Sequence, residues 1–453
     1  MPFDGTATAA SITMPLPAIP AAASPPPATF PSPAARPRPV SATLAANEAM
    51  AARRREGQPV LPLAFGEAGL PAHPALRDAL AAAAASNRYG PVAGIAALRS
   101  AAAGYWQRRG LPTTPDSVVC GPGSKPLLFG LMLATGADVA VPRPSWVSYA
   151  AQASLIGARP YFVPAAPGEG GICDPAALGA AVLAARAAGR TIRSVVVTLP
   201  DNPTARLPRP ATVRALCHVA AEHELIIISD EIYRDLVHDP AAPLLSPGAV
   251  APERTVVTTG LSKSLALGGW RIGVARLPGS PLGGWLQGQL LGVGSEIWSA
   301  PAAPIQQAAA LAFSEPAELS ERIAASRRLH AAVCRAVAGL CAAAGLDVPA
   351  PQAAFYVYPD FEPWRVHLAR RHGVTTSEGL AGLLLERYGA GTLPGSAFGE
   401  RPTALRLRLA TGLLYGETDE QQEAALAAPD PLALPWIEAE LDRLREILVD
   451  LAP

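Results

Sequence analysis

The run Gly260-Leu261-Ser262-Lys263-Ser264-Leu265-Ala266-Leu267-Gly268-Gly269-Trp270-Arg271 sets one lysine among small residues and follows it with an arginine. An amine that forms an imine has to be free and uncrowded, and lysine shifts its pKa readily enough for that work. A phosphate-bearing ligand calls for a cation that stays charged, which arginine supplies. About two helical turns separate Lys263 from Arg271. The second sharp stretch is Ile226-Ile227-Ile228-Ser229-Asp230-Glu231-Ile232-Tyr233. Its β-branched residues predict a buried strand with Asp230 at the C-terminal end, a costly place for a carboxylate unless a cation meets it. A protonated pyridine nitrogen is such a cation. Tyr233, three residues on, can face the same ligand if a helix begins there; a helix-capping Asp-Glu pair is the plainer alternative.

Three further turns follow predicted strands. Gly121-Pro122-Gly123-Ser124-Lys125 lacks the GxxxxGK[ST] spacing, but it opens a helix whose free N–H groups suit a phosphate. Pro144-Ser145-Trp146 puts an aromatic ring at a strand's C-terminal end, where open α/β sheets bind ligands. Pro200-Asp201-Asn202-Pro203-Thr204 is a turn signal that places an amide, Asn202, at a comparable point. Near the C-terminus, Leu405-Arg406-Leu407-Arg408-Leu409-Ala410 alternates strictly, so both arginines share one face of a strand. One of them could hold a carboxylate two-pronged; a solvated edge strand is the alternative.

The elements that position these residues are legible in outline. Strands are predicted at 117–120, 138–141, 159–163, 194–198, 225–229, 255–259 and 273–275. Helices are predicted at 44–55, 74–86, 94–109, 125–134, 146–156, 175–188 and 210–223. That alternation argues a mostly parallel sheet covered on both faces. A long helix at 315–345, strands at 354–358 and 404–410 and a last helix at 436–451 make a smaller α+β part. The expected division is a Pro/Ala-rich tail at 1–40, a segment at 41–75 that joins the small domain, a large domain at 76–313 and a small one at 314–453. In the tail proline makes up about a quarter of the residues against a usual ~5%, which predicts disorder.

Of the 453 residues 50% are hydrophobic, and 37 basic residues balance 37 acidic ones, so charge favours neither nucleic acid nor an anionic membrane. The five cysteines are odd in number and lack CxxC spacing, and the histidines lack metal-ligand spacing. Buried free thiols, no metal site and a cytoplasmic location are therefore expected. No apolar run reaches membrane-spanning length.

In this order the pieces resemble the class I/II aminotransferases of the fold type I pyridoxal-phosphate enzymes, over nearly all of Ser41 to Leu451. Supporting segments are Phe65-Gly66-Glu67-Ala68, Tyr89-Gly90-Pro91-Val92-Ala93-Gly94 through Leu98-Arg99, Ala354-Phe355-Tyr356, and Pro394-Gly395-Ser396-Ala397-Phe398-Gly399. The resemblance implies an α/β architecture with a large, mostly parallel sheet between helices and a smaller α+β domain. It implies an aminotransferase that uses pyridoxal 5'-phosphate and moves an amino group from an α-amino acid to a 2-oxo acid by a ping-pong route. Lys263 would be the Schiff-base lysine and the proton carrier between the α-carbon and C4′. Asp230 would pair with the pyridinium nitrogen, Asn202 and Tyr233 would contact the phenolic oxygen, and Trp146 would stack on the ring. Gly123, Ser124 and Lys125 would cradle the phosphate together with Ser262 and Arg271. Tyr89 would reach the cofactor of a second subunit, which makes a homodimer. Arg406 would take the substrate α-carboxylate, with Gly66 and Asn202 beside it.

Several positions depart from the family pattern. Ala205 and Ala353 replace usual glycines, Gly260 replaces a phosphate-binding serine, Arg408 replaces a small polar residue, and the stretch 415–435 is long. In some relatives the lysine matching Lys125 meets a distal carboxylate, which hints at an acidic substrate. A lyase, decarboxylase or oxidase of the same fold is the alternative reading; a cofactor-binding regulator is a third, and it lacks the preceding helix-turn-helix pattern such proteins carry.

Overall fold

The computed structural model describes residues 41–453, so the expectation for the tail at 1–40 lies outside the described residues. Seven strands form the central sheet: β1 Val118–Gly121, β2 Asp138–Arg143, β3 Pro160–Pro164, β4 Ile192–Thr198, β5 Ile226–Asp230, β6 Thr255–Gly260 and β7 Gly273–Arg276. Their spatial order is β1-β7-β6-β5-β4-β2-β3. The pairs from β6 to β3 are parallel, and β7 alone runs antiparallel to both its neighbours. The near-continuous apolar runs have a direct cause. Val196, Ile226, Ile228 and Val256 pack with the helices on one face, while Val195, Val197 and Ile227 pack on the other. Both faces are dry, so both phases of the strand alternation are apolar.

The small sheet has three antiparallel strands, β8 Tyr356–Val357, β9 Leu393–Pro394 and β10 Leu407–Ala410, in the order β9-β10-β8. It shares a core with the long helix Ala317–Ala343 and the last helix Pro435–Leu451, through residues such as Val333, Val337, Leu409, Ile437 and Leu441. The strands here are shorter than the sequence suggests, because irregular backbone turns Ala354 to φ 54° and Arg406 makes only an isolated bridge to Asp360. The long stretch 415–435 contains a helix, Asp419–Ala427, capped by the Thr418 hydroxyl. It closes onto the last helix through Trp436, whose Nε1 donates to the Tyr415 carbonyl at 2.9 Å.

The sequence pattern left several helices unassigned, among them Pro281–Ile297, Ala303–Ser314 and Ser377–Tyr388. The first carries five internal glycines and the second is alanine-rich, which weakens any apolar stripe. All five cysteines are buried and unpaired. No helix among the described residues is long and apolar enough to cross a membrane. No metal-ligating cluster of His, Cys, Asp or Glu occurs among them either.

Candidate active site

A cavity of about 400 Å³ opens at the C-terminal ends of β4, β5 and β6, with part of the small sheet as its roof. Parallel strands deliver their following turns to this edge, so residues that are distant in the chain meet there. Gly66, Ser124, Lys125, Trp146, Asn202, Asp230, Tyr233, Ser262, Lys263 and Arg271 all line it.

Lys263 lies on a one-turn helix, Leu261–Ser264, directly after β6. Its Nζ donates to the Gly66 carbonyl at 2.5 Å. Burial pulls its pKa down to about 8, reinforced by the positive charges of Arg408, Arg271 and Lys125, while Glu67 on the cavity wall opposes the shift. Asp230 ends β5 and is buried. Its Oδ2 accepts from the Tyr149 hydroxyl at 2.9 Å, and that hydroxyl also lies 3.0 Å from Thr198. Its Oδ1 is 3.5 Å from the Thr258 hydroxyl. Burial raises the Asp230 pKa to about 6, with these hydrogen bonds pulling the other way. No cation of the protein pairs with it among the described salt bridges.

The cation Arg271 reaches the start of the helix Ser124–Thr135 because its own backbone is left-handed, with φ 55°. Gly123, also at positive φ, lets the guanidinium approach: a Cβ there would come 2.5 Å from Arg271 Nη2. Gly260 has a similar packing reason, since a Cβ at that position would meet the Ile272 carbonyl at 2.8 Å. A serine cannot stand there without a backbone shift. Ala205, at φ 56°, occupies the conformation that the family's glycine tolerates and an L-residue adopts at a cost of about 1–2 kcal/mol.

The two arginines of the last motif part company. Arg408 is buried and lines the cavity. Its Nη1 donates to Asn202 Oδ1 at 3.2 Å, its Nη2 donates to the Ala64 carbonyl, and its Nε has no partner. Its guanidinium lies over the rings of Tyr356 and Phe398, at 4.8 and 5.2 Å. Arg406 does not line the cavity. Its Nε donates to Asp360 at 2.8 Å and its Nη1 to Glu400 at 2.7 Å. The assignment of Arg406 as the carboxylate-binding residue is thus corrected. Both side chains project from one face of the strand, but two residues advance the chain by about 7 Å. Arg406 precedes the ladder, where two carboxylates neutralise it, and Arg408 carries its charge into the cavity. Tyr89 is 94% exposed and not part of the cavity wall of its own chain.

Tyr149, Thr198, Glu67 and Tyr356 also line the cavity and were not singled out from the sequence. Tyr149 had a usable signal, since it follows Trp146 by three residues at a helix start. The others become visible only once separate segments are brought together.

The donor set fits pyridoxal phosphate. A buried carboxylate lacks a cation, an amine is held largely poised for deprotonation, and a glycine-cradled helix start beside Arg271 suits a phosphate. The sequence profile described as "Aminotransferase class I and II" matches residues 60–422. The chain belongs to the class I and II aminotransferases. It is a pyridoxal-phosphate-dependent aminotransferase of the type I fold, acting on small-molecule amino and 2-oxo acids. It is 32% identical to a probable aspartate/prephenate aminotransferase of Thermus aquaticus, over 82% of this chain and 92% of that one. It is 31% identical to an aspartate aminotransferase of Geobacillus stearothermophilus, over 83% and 94%. Among solved structures it resembles the Thermus thermophilus aspartate aminotransferase with maleate, with a TM-score of 0.75 and 28% identity over 90% of this chain and 97% of that chain.

Proposed function

We propose that this aminotransferase works by a ping-pong route in which Lys263 moves the proton and Arg408 anchors the substrate α-carboxylate. The observation that carries the reading is that one cavity holds an amine with a lowered pKa, a carboxylate without a cation and a buried arginine without a carboxylate. When bound, pyridoxal phosphate supplies an electron sink for the bond broken at the substrate α-carbon. Asp230, itself held by Tyr149 and Thr258, would keep a proton on the ring nitrogen. Ser124, Ser262 and Arg271, all on the cavity wall, would bind the phosphate, and Trp146 would orient the ring. Arg408 and Asn202 fix the substrate carboxylate, so that the α-hydrogen faces the Lys263 amine. That amine, neutral above about pH 8, would take the proton from the α-carbon and hold it for the return step.

Lys125 also faces the cavity, with Nζ 5.1 Å from the Trp146 ring, and burial lowers its pKa. A second carboxylate on the substrate would pair with its ammonium and oppose that shift, which supports an acidic amino or 2-oxo acid; the names of the relatives point the same way. We further propose a cytoplasmic homodimer. Five unpaired cysteines suit a reducing compartment, and the exposed Tyr89 ring offers a contact for a second copy.

The test is a single turnover. An amino donor added without any 2-oxo acid should release one equivalent of its own 2-oxo acid per site and then stop. Adding an acceptor 2-oxo acid should restart the reaction and yield a new amino acid. Catalytic release of ammonia, carbon dioxide or peroxide would overturn transamination.

A further inference from the structure

We propose that Tyr356 is a positioning residue that donates its hydroxyl hydrogen to Tyr233 and so aims the Tyr233 hydrogen into the cavity. The inference rests on the proposed aminotransferase reading and on the role the family resemblance implies for Tyr233, which lines the cavity, at the phenolic oxygen of the bound cofactor. The two hydroxyl oxygens are 2.6 Å apart, and both residues are buried. The rings meet edge to face, with centroids 5.5 Å apart and planes at 79°. Space is reserved for this pair: a Cβ on Gly66 would come 2.5 Å from the Tyr356 oxygen.

At that separation one hydrogen lies between the oxygens, and a phenol has only one to give. Whichever tyrosine donates, the other directs its hydrogen elsewhere. Position of charge decides which. The Arg408 guanidinium sits 4.8 Å over the Tyr356 ring, while Tyr233 has no such cation stacked on it. A cation on the π-face draws electron density from the ring and makes its O–H the better donor. The acidities agree in direction: burial raises both phenols, Tyr233 further above its ordinary value than Tyr356, while Arg408 opposes the rise at each. Arg408, Tyr356 and Tyr233 then form one polarised chain, in which each group strengthens the next. Roof and floor of the cavity are joined by a proton orientation as well as by packing.

The test is a pH titration of the absorbance of the bound cofactor in the holoenzyme, for wild type, Tyr356→Phe, Tyr233→Phe and the double variant. A hydrogen bond donated to an anionic oxygen favours the deprotonated form. Tyr356→Phe keeps the ring and removes the donor, so Tyr233 donates more weakly and the midpoint should rise by about half to one pH unit. Tyr233→Phe should raise it further, and the double variant should match Tyr233→Phe alone. Placing 3-fluorotyrosine at position 356, a more acidic phenol of nearly the same size, should move the midpoint down. An unmoved midpoint in Tyr356→Phe, an additional shift in the Tyr233→Phe background, or an upward or absent shift with the fluorinated residue overturns the inference. A midpoint that ignores Tyr233→Phe as well overturns the placement of Tyr233 against the cofactor, and this inference with it.

Discussion

Asp230, Asn202 and Trp146 each stand within a few residues of the end of a parallel strand, whereas Gly66, Tyr356 and Arg408 reach the same cavity from three separate segments of the roof. On the floor, a side chain is placed by the strand it follows and the turn that comes next. On the roof it is placed by register: β10 pairs Leu409 with Val357 and Arg408 with Leu393, and that pairing decides which arginine enters. The floor is therefore robust to substitution elsewhere, while the roof turns on a two-residue choice.

The largest effect is expected on the floor. Lys263→Ala should lower kcat to the far end of the roughly 10²–10⁴-fold range for an acid–base group, and borohydride should no longer tie the cofactor to the chain. Retained turnover in a steady-state assay would show that another amine does the work. Asp230→Ala should follow, with kcat down by about 10²–10³ through loss of a buried electrostatic contact and near-native circular dichroism. If its activity is close to wild type, the ring nitrogen is not what Asp230 meets.

The two arginines sharpen the contrast directly. Arg408→Gln should cost about 2–5 kcal/mol in kcat/KM, because it removes the charged partner of a desolvated carboxylate. Arg406→Gln should leave kcat/KM within roughly threefold and lower stability by about 1 kcal/mol, since the lost contacts are partly exposed ion pairs. The reverse ranking in a kinetic comparison would place the register of β10 two residues off.

The smallest effect concerns the charge of the floor itself. In cofactor-free protein Asp230 has a pKa near 6, against 3.8 for an ordinary aspartate. The folded chain then binds the proton more tightly than the unfolded one, so stability should fall as pH rises from about 4 to 6 and stay low above that. Thermal midpoints should show this decline, and Asp230→Asn should remove its share of it. Loading the cofactor should also flatten the curve, because a pyridinium partner lowers the carboxylate pKa. An equal decline in wild type and Asp230→Asn would assign it to another group, with buried Asp201, near 7, the first to examine.

The same division explains what the sequence made legible. All seven strands of the large sheet are evident as apolar runs with turn residues after them, and the floor residues sit in those turns. Alternation correctly put Arg406 and Arg408 on one face, but alternation has no origin, so it could not say which arginine stands over the cavity. That depended on Asp360 and Glu400, 46 and 6 residues from Arg406 along the chain, which capture it first. Tyr356 was visible only as part of a motif, because its role arises from contact with Tyr233, 123 residues away.

Gly260 and Gly273 face each other across β6 and β7, so the twelve residues between them (261 to 272) leave the sheet and return to it at one point. Lys263 and Arg271 are both carried on this short excursion. Its two ends are pinned by a ladder, and closing so small a ring costs the chain little entropy. The backbone spacing between Lys263 and Arg271 is thereby set by the loop's own geometry, and the roof adds one hold on the amine, the Gly66 carbonyl. As an object for engineering, the loop behaves as a cassette: an antiparallel strand pair with glycines at both gateposts could receive it whole, bringing Lys263 and Arg271, the amine and cation proposed to meet one ligand, at a set spacing along the chain.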